Sequence, residues 1–156
     1  MKDSTLITNS TDETIELAER LAARLKGGDV IALIGDLGAG KTVFVKGLAK
    51  GLGIPHHLYV NSPSFVILKE YHGRLDLYHF DVYRLDFKDF ADTVDHERYF
   101  YGNGVSVIEW ADKVTDILPE EYLEIRISQA GESKREFVFK AFGERYEKLT
   151  RKLEQA

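Results

Sequence analysis

Gly35-Asp36-Leu37-Gly38-Ala39-Gly40-Lys41-Thr42 satisfies the pattern G-x-x-x-x-G-K-[ST], and its surroundings constrain the fold more than any other part of the chain. Before it runs Val30-Ile31-Ala32-Leu33-Ile34, a short continuous apolar stretch of the kind buried in parallel sheets. After it Val45, Leu48, Ala49 and Leu52 recur at helical spacing as far as Gly53 and Pro55. Strand, glycine-rich turn and helix is the context in which this pattern has mechanical meaning. The glycines let backbone N–H groups turn inward around a phosphate, the helix N-terminus adds positive potential, Lys41 reaches the β/γ oxygens, and the Thr42 hydroxyl suits Mg²⁺. A glycine-rich loop ending in Lys-Thr by chance is expected in on the order of one per cent of chains of this length. The glycine order G-x-x-G-x-G differs from the dinucleotide fingerprint G-x-G-x-x-G, which argues against a Rossmann oxidoreductase.

A strand buried on both faces needs helices on both sides of its sheet, and the rest of the pattern supplies them. Ser10 and Glu13 form a capping box before Leu17, Leu21 and Leu25, with Ala18 and Ala22 beside them, and Gly27-Gly28 stops this first helix. Phe65 to Tyr71 and Leu75 to Asp81 are rich in β-formers and flank His72-Gly73-Arg74, a hairpin-length connection. Phe87 to Phe100 reads as moderately helical, Val105 to Glu109 as an apolar strand, and Tyr122 to Ser128 with Arg135 to Phe142 as a second hairpin. Tyr146, Leu149 and Leu153 mark a closing amphipathic helix. No repeat or linker interrupts the pattern. The expectation is one domain over residues 1–156, an α/β, P-loop NTPase-like three-layer sandwich with a mixed, partly parallel central sheet and antiparallel hairpins.

Composition narrows the function classes. Lys+Arg 21 against Asp+Glu 26 gives a formal charge of −5, which disfavours a self-sufficient nucleic-acid binder driven by phosphate neutralisation. The absence of cysteine removes thiol nucleophiles, thiolate metal sites and disulfides. The first dozen residues are polar and lack a signal-peptide core, and no stretch approaches the ~18 apolar residues of a membrane span. A cytoplasmic protein with no membrane partner is expected.

A phosphate loop needs acids near the ends of neighbouring strands, to hold magnesium and orient the attacking group. Asp81 and Glu109 each close a strand-like run. Ser62-Pro63-Ser64 is either an ordinary turn or a switch segment that would bring a hydroxyl towards the γ-phosphate, and Trp110, which follows Glu109, is either a core residue or one that covers the nucleotide or a partner at the mouth of the site. The five histidines, His56, His57, His72, His79 and His96, show no zinc spacing such as H-E-x-x-H. Neither D-x-x-G nor N-K-x-D, the marks of a guanine-nucleotide switch, occurs in the chain. A stand-alone small-molecule kinase needs a substrate domain and an arginine-bearing lid, for which the chain is short; it is the runner-up reading.

The phosphate loop, Asn61-Ser62-Pro63-Ser64-Phe65, Tyr78-His79-Phe80-Asp81-Val82-Tyr83-Arg84-Leu85 and Ile108-Glu109-Trp110-Ala111 together resemble the bacterial TsaE (YjeE) ATPases of tRNA threonylcarbamoyladenosine synthesis. Order and spacing match from Thr14 to the final hairpin. The resemblance implies an ATPase that binds ATP through Gly38, Ala39, Gly40, Lys41, Thr42, Val43 and Ser64. It implies Mg²⁺ held by Thr42 and Glu109, with Lys41, Asp81 and Trp110 needed for turnover. It also implies a base pocket between the N-terminal loop near Thr11 and the last hairpin near Lys134. The implied partner is a TsaB–TsaD pair that modifies position 37 of tRNA, so that tRNA is met indirectly, through that complex. Two departures stand out: the family's usual Ser-Pro-Thr is Ser-Pro-Ser here, which keeps the Ser64 hydroxyl, and residues 86–100 lack the usual Leu-Gly step.

Overall fold

The computed structural model describes residues 3–36, 38–55, 68–83 and 95–154. In chain order the elements are β1 (Ser4–Thr8), α1 (Thr11–Ala22), β2 (Val30–Ile34), α2 (Lys41–Gly51), β3 (Leu68–Tyr71), β4 (Leu77–Asp81), α3 (His96–Phe100), β5 (Val105–Glu109), β6 (Tyr122–Gln129), β7 (Arg135–Phe142) and α4 (Glu144–Glu154). Two 3₁₀ turns, Ala111–Lys113 and Thr115–Ile117, follow β5.

Among the described residues the strands form one sheet in the order β1-β7-β6-β2-β5-β4-β3. Pairing is parallel for β6–β2, β2–β5 and β5–β4, and antiparallel for β1–β7, β7–β6 and β4–β3. The mixed sheet with two hairpins is therefore the expected one. The glycine-rich strand unit occupies the middle: every residue of β2 and of β5 is buried. Alternation divides β2 between two cores. Ile31 and Leu33 pack with α1, α2 and α4, whereas Val30, Ala32 and Ile34 face Phe100, Ala111 and Val114 on the other side.

Each helix sits where its local chemistry puts it. The Ser10 hydroxyl accepts the Glu13 N–H at 3.1 Å, and Glu13 accepts the Asn9 N–H at 3.2 Å, a reciprocal cap that fixes where α1 begins. The α4 residue Tyr146 receives the Val30 N–H on its hydroxyl at 2.9 Å, tying the last helix to the start of β2. Of the expected helix over 87–100, His96–Phe100 is helical, and residues 84–94 lie outside the described set. The first hairpin strand is described only from Leu68.

One strand escaped the sequence reading. Ser4–Thr8 pairs with β7, Leu6 opposite Phe137, although this segment is polar overall. Its Thr and Ile residues suit an edge strand with a single partner, and a buried 2.7 Å contact between the Thr8 and Thr14 hydroxyls joins it to α1.

The contact between α1 and α2 depends on glycine. A Cβ at Gly47 would lie 2.6 Å from both the Ala18 Cβ and the Ile15 carbonyl oxygen. Helix propensity alone favours Ala over Gly by about 1 kcal/mol, but overpacking against a backbone that no rotamer change relieves costs about 1–3 kcal/mol. Gly47→Ala is expected to lower stability by about 1–2 kcal/mol in urea unfolding; a stabilised variant would show that α2 can shift away from α1 freely.

Candidate functional site

The turn between β2 and α2 is built from left-handed glycines, Gly38 at φ 79° and Gly40 at φ 108°, conformations that side chains disfavour. A Cβ at Gly35 would lie 2.6 Å from the Ile127 carbonyl oxygen, so the first residue of the turn is seated against β6. Lys41, only 5% exposed, folds back over the turn and donates to the carbonyl oxygens of Gly35 (2.5 Å) and Asp36 (2.8 Å). Burial pushes its pKa below the ordinary lysine value, and the negative charges of Glu109, Asp81, Asp36 and Asp112 oppose that shift.

Asp81 and Glu109 are side by side, the last residues of two parallel strands, and Glu109 is in register with Leu33 of β2 on its other side. Both carboxylates are buried. One Glu109 oxygen lies 3.5 Å from the Thr42 hydroxyl, too long for a strong O–H···O bond, so neither oxygen is committed to the other. The second accepts a hydrogen bond from His79 Nε2 at 2.5 Å. Thr42, at the start of α2, thus shares a carboxylate with a histidine of β4. Hard oxygen donors of this kind suit Mg²⁺. The Tyr83 N–H is donated to Asp81 Oδ1 at 2.9 Å, closing a tight turn after β4.

Trp110 has φ 64° and ψ 35°, the left-handed region for a bulky residue. This conformation ends β5 abruptly and brings the indole to 4.1 Å from Lys41 Nζ and 4.7 Å from the Tyr83 ring, centroid to centroid. Lys113 in turn donates to the Tyr83 carbonyl. Trp110 is partly buried and packs against the apolar cluster that includes Phe80, Ile108 and Ala111.

Next to the turn, a cavity of ~110 Å³ is lined by Thr11, Gly40, Val43, Glu132, Ser133 and Arg135, among others. It joins the start of α1 to the tip of the β6–β7 hairpin, the two segments expected to form the base pocket. Lys134 is exposed at that tip, and its neighbour Arg135 lines the cavity. Sequence spacing finds no arginine near the turn, whereas folding brings Arg135 Nε to 3.7 Å from where a Gly40 Cβ would be. Two larger cavities, ~550 and ~620 Å³, lie around Lys26 and Arg145 and contain no residue of the turn. Ser62 to Ser64 and Arg84 lie outside the described residues.

His79, weighed from the sequence only as a zinc ligand, joins the acids through its contact with Glu109. The signal was parity: it stands two residues before Asp81 on the same strand face, within diagonal reach of the residue opposite Asp81.

The family model for "Threonylcarbamoyl adenosine biosynthesis protein TsaE" matches residues 8–137. The chain belongs to the TsaE family. The Bacillus subtilis tRNA threonylcarbamoyladenosine biosynthesis protein TsaE is 48% identical over 154 residues, covering 98% of this chain and 95% of that protein. Its namesake from Treponema pallidum is 44% identical over 131 residues, covering 83% of this chain and 95% of the relative. A crystal structure of Bacillus subtilis YdiB superposes with a TM-score of 0.85 at 44% identity, covering 99% of this chain and 95% of that one. The α/β fold expected from the pattern of strands, helices and hairpins is thus the fold of a solved relative. Among the described residues, no helix of this TsaE family member is long and apolar enough to cross a membrane.

The positive φ of Trp110 makes a separable prediction. Trp110→Gly and Trp110→Ala both delete the ring, but only alanine retains left-handed strain of about 1–2 kcal/mol, against an unfolded-state advantage of about 0.4–1 kcal/mol. The glycine variant is expected to be the more stable by up to about 1 kcal/mol in urea titrations; equal or reversed stabilities would show that this turn carries no strain.

Proposed function

We propose that this chain is the ATP-binding and ATP-hydrolysing subunit of the bacterial machinery that makes threonylcarbamoyladenosine at position 37 of tRNA, acting with a TsaB–TsaD-like protein complex. The observation that carries the reading is the meeting of Lys41, Thr42, Asp81 and Glu109 at one sheet edge in a TsaE family chain. Relatives named for tRNA threonylcarbamoyladenosine biosynthesis over nearly the whole chain support it against the stand-alone kinase reading.

In this reading the N–H groups of Gly38 to Val43 and the Lys41 ammonium hold the phosphates of ATP. The cavity between Thr11 and Arg135 takes the base side of the nucleotide, with Ser64 assigned to the phosphate side by resemblance. Thr42 and Glu109 would hold Mg²⁺, which when bound would neutralise charge on the phosphates. Asp81 orients the attacking water, its carboxylate held by the Tyr83 N–H. Trp110 covers Lys41 and excludes water from the ammonium, so that the charge acts in a poorly screened setting. Phosphoryl transfer is limited by positioning, and an arginine delivered at the right moment is worth about 10³ to 10⁵ in rate. The reading is that partner docking completes the site, and tRNA is met through the partner.

Reconstituted tRNA threonylcarbamoylation with and without this protein tests the assignment. Hydrolysis by the lone chain should run below about 1 s⁻¹, the low end for finished kinases, and rise on adding the TsaB–TsaD-like partner. A faster lone rate without stimulation would return the kinase reading.

The two acids should separate in steady-state hydrolysis at varied MgCl₂. Asp81→Ala and Glu109→Ala are each expected to lose at least about tenfold in rate, about 1.4 kcal/mol of transition-state stabilisation. Glu109→Ala should also need more Mg²⁺, whereas Asp81→Ala should not; identical requirements would contradict the division of roles.

A further inference from the structure

His79 lies in the core layer beneath the phosphate loop, wholly buried, in register with Val107 and two residues from Asp81. A polar ring at such a position is costly unless its nitrogens are satisfied. Only one is: Nε2 meets Glu109 Oε2 at 2.5 Å, while Nδ1 has no hydrogen-bond partner among the described residues. A proton on Nδ1 would therefore be a buried donor without an acceptor, so the ring carries its proton on Nε2 and donates it to the carboxylate. A leucine would fill an apolar layer without leaving any nitrogen unsatisfied. The contact with Glu109 is what distinguishes histidine from such a side chain.

The effect on Glu109 follows from torsional freedom. The last torsion of a glutamate is broad and roughly two-fold, so an untethered carboxylate samples many planes. Fixing Oε2 by an N–H from β4 sets the plane and turns Oε1 towards Thr42, which it approaches at 3.5 Å. We propose that His79 is a positioning residue: its Nε2–H pre-orients the Glu109 carboxylate so that the Glu109–Thr42 pair binds Mg²⁺ without reorganisation. This rests on the reading that Glu109 and Thr42 hold the ion.

Glutamine and asparagine variants separate the geometry from the chemistry. In His79→Gln the amide nitrogen takes roughly the place of Nε2, whereas in His79→Asn it falls short, near Nδ1. Binding of a non-hydrolysable ATP analogue, AMP-PNP, is measured calorimetrically in EDTA and then at rising MgCl₂, with emission of Trp110, the chain's only tryptophan, as a second readout. Outer-shell partners of metal ligands are typically worth about 10- to 100-fold in metal affinity. His79→Asn is expected to raise the Mg²⁺ requirement by about that factor with metal-free binding unchanged, and His79→Gln to restore most of the loss. Equal Mg²⁺ requirements in the two variants, or an equal loss of metal-free binding, would overturn the positioning role. A wild-type chain whose nucleotide binding ignores Mg²⁺ would instead overturn the magnesium reading itself, and the role with it. Should neither variant fold, two-bond ¹H–¹⁵N spectra of the wild-type imidazole decide: a proton on Nε2 and a bare Nδ1 are expected, and the reverse tautomer overturns the proposal.

Discussion

Parallel register among β2, β5 and β4 is the constraint on which the site depends. Leu33, the last residue but one of β2, pairs with Glu109, and Glu109 with Asp81, so three strands end at nearly the same level, where the chain also turns into α2. Because side chains alternate strictly, a slip of one residue would turn each acid to the opposite face of the sheet. What holds the register is apolar: every residue of β2 and β5 is buried, and both cores would have to be rebuilt to accommodate a shift. The acids are therefore placed by the buried apolar residues of the strands that carry and flank them.

The same edge collects groups that a stable core would avoid. Lys41, His79, Asp81 and Glu109 are all less than a tenth exposed. Buried ion pairs and polar groups contribute little net stability, because desolvation consumes most of what their contacts return. Trp110 adds a left-handed backbone at the same place. Local rules broken together at one edge mark a functional site. The surrounding architecture offsets the cost through two dense cores and through the close approach of α1 and α2, which Gly47 and Gly51 make possible. In the proposed function these fixed charges are already oriented when a phosphate arrives, which is the form of electrostatic assistance that phosphoryl transfer needs.

Where the sequence was informative, a short-range pattern carried the information. The glycine spacing and the apolar run before it predict strand, turn and helix because backbone conformation and helix capping are decided within a few residues. The β6–β7 hairpin could be read from two β-rich runs with a turn between them, and the acids from their position at strand ends. The edge strand β1 was harder, since five mostly polar residues carry little signal until β7 is there to pair with. For the cavity beside Gly40, the two segments that line it were legible, but its arginine was not.

By itself, then, the sequence determined the strand–turn–helix unit, the mixed sheet with its hairpins and the two strand-end acids, which reside in local backbone preference and periodicity, and the TsaE resemblance, which resides in the residues of four short motifs. Only the tertiary structure decided the strand order, the pairing of Asp81 with Glu109, the hydrogen bond from His79 to Glu109 and the approach of Arg135 to Gly40. Those contacts join residues 28 to 95 positions apart, and no periodicity connects such residues along the chain. They arise when apolar faces choose which strands lie side by side, a choice made by the burial of the whole core.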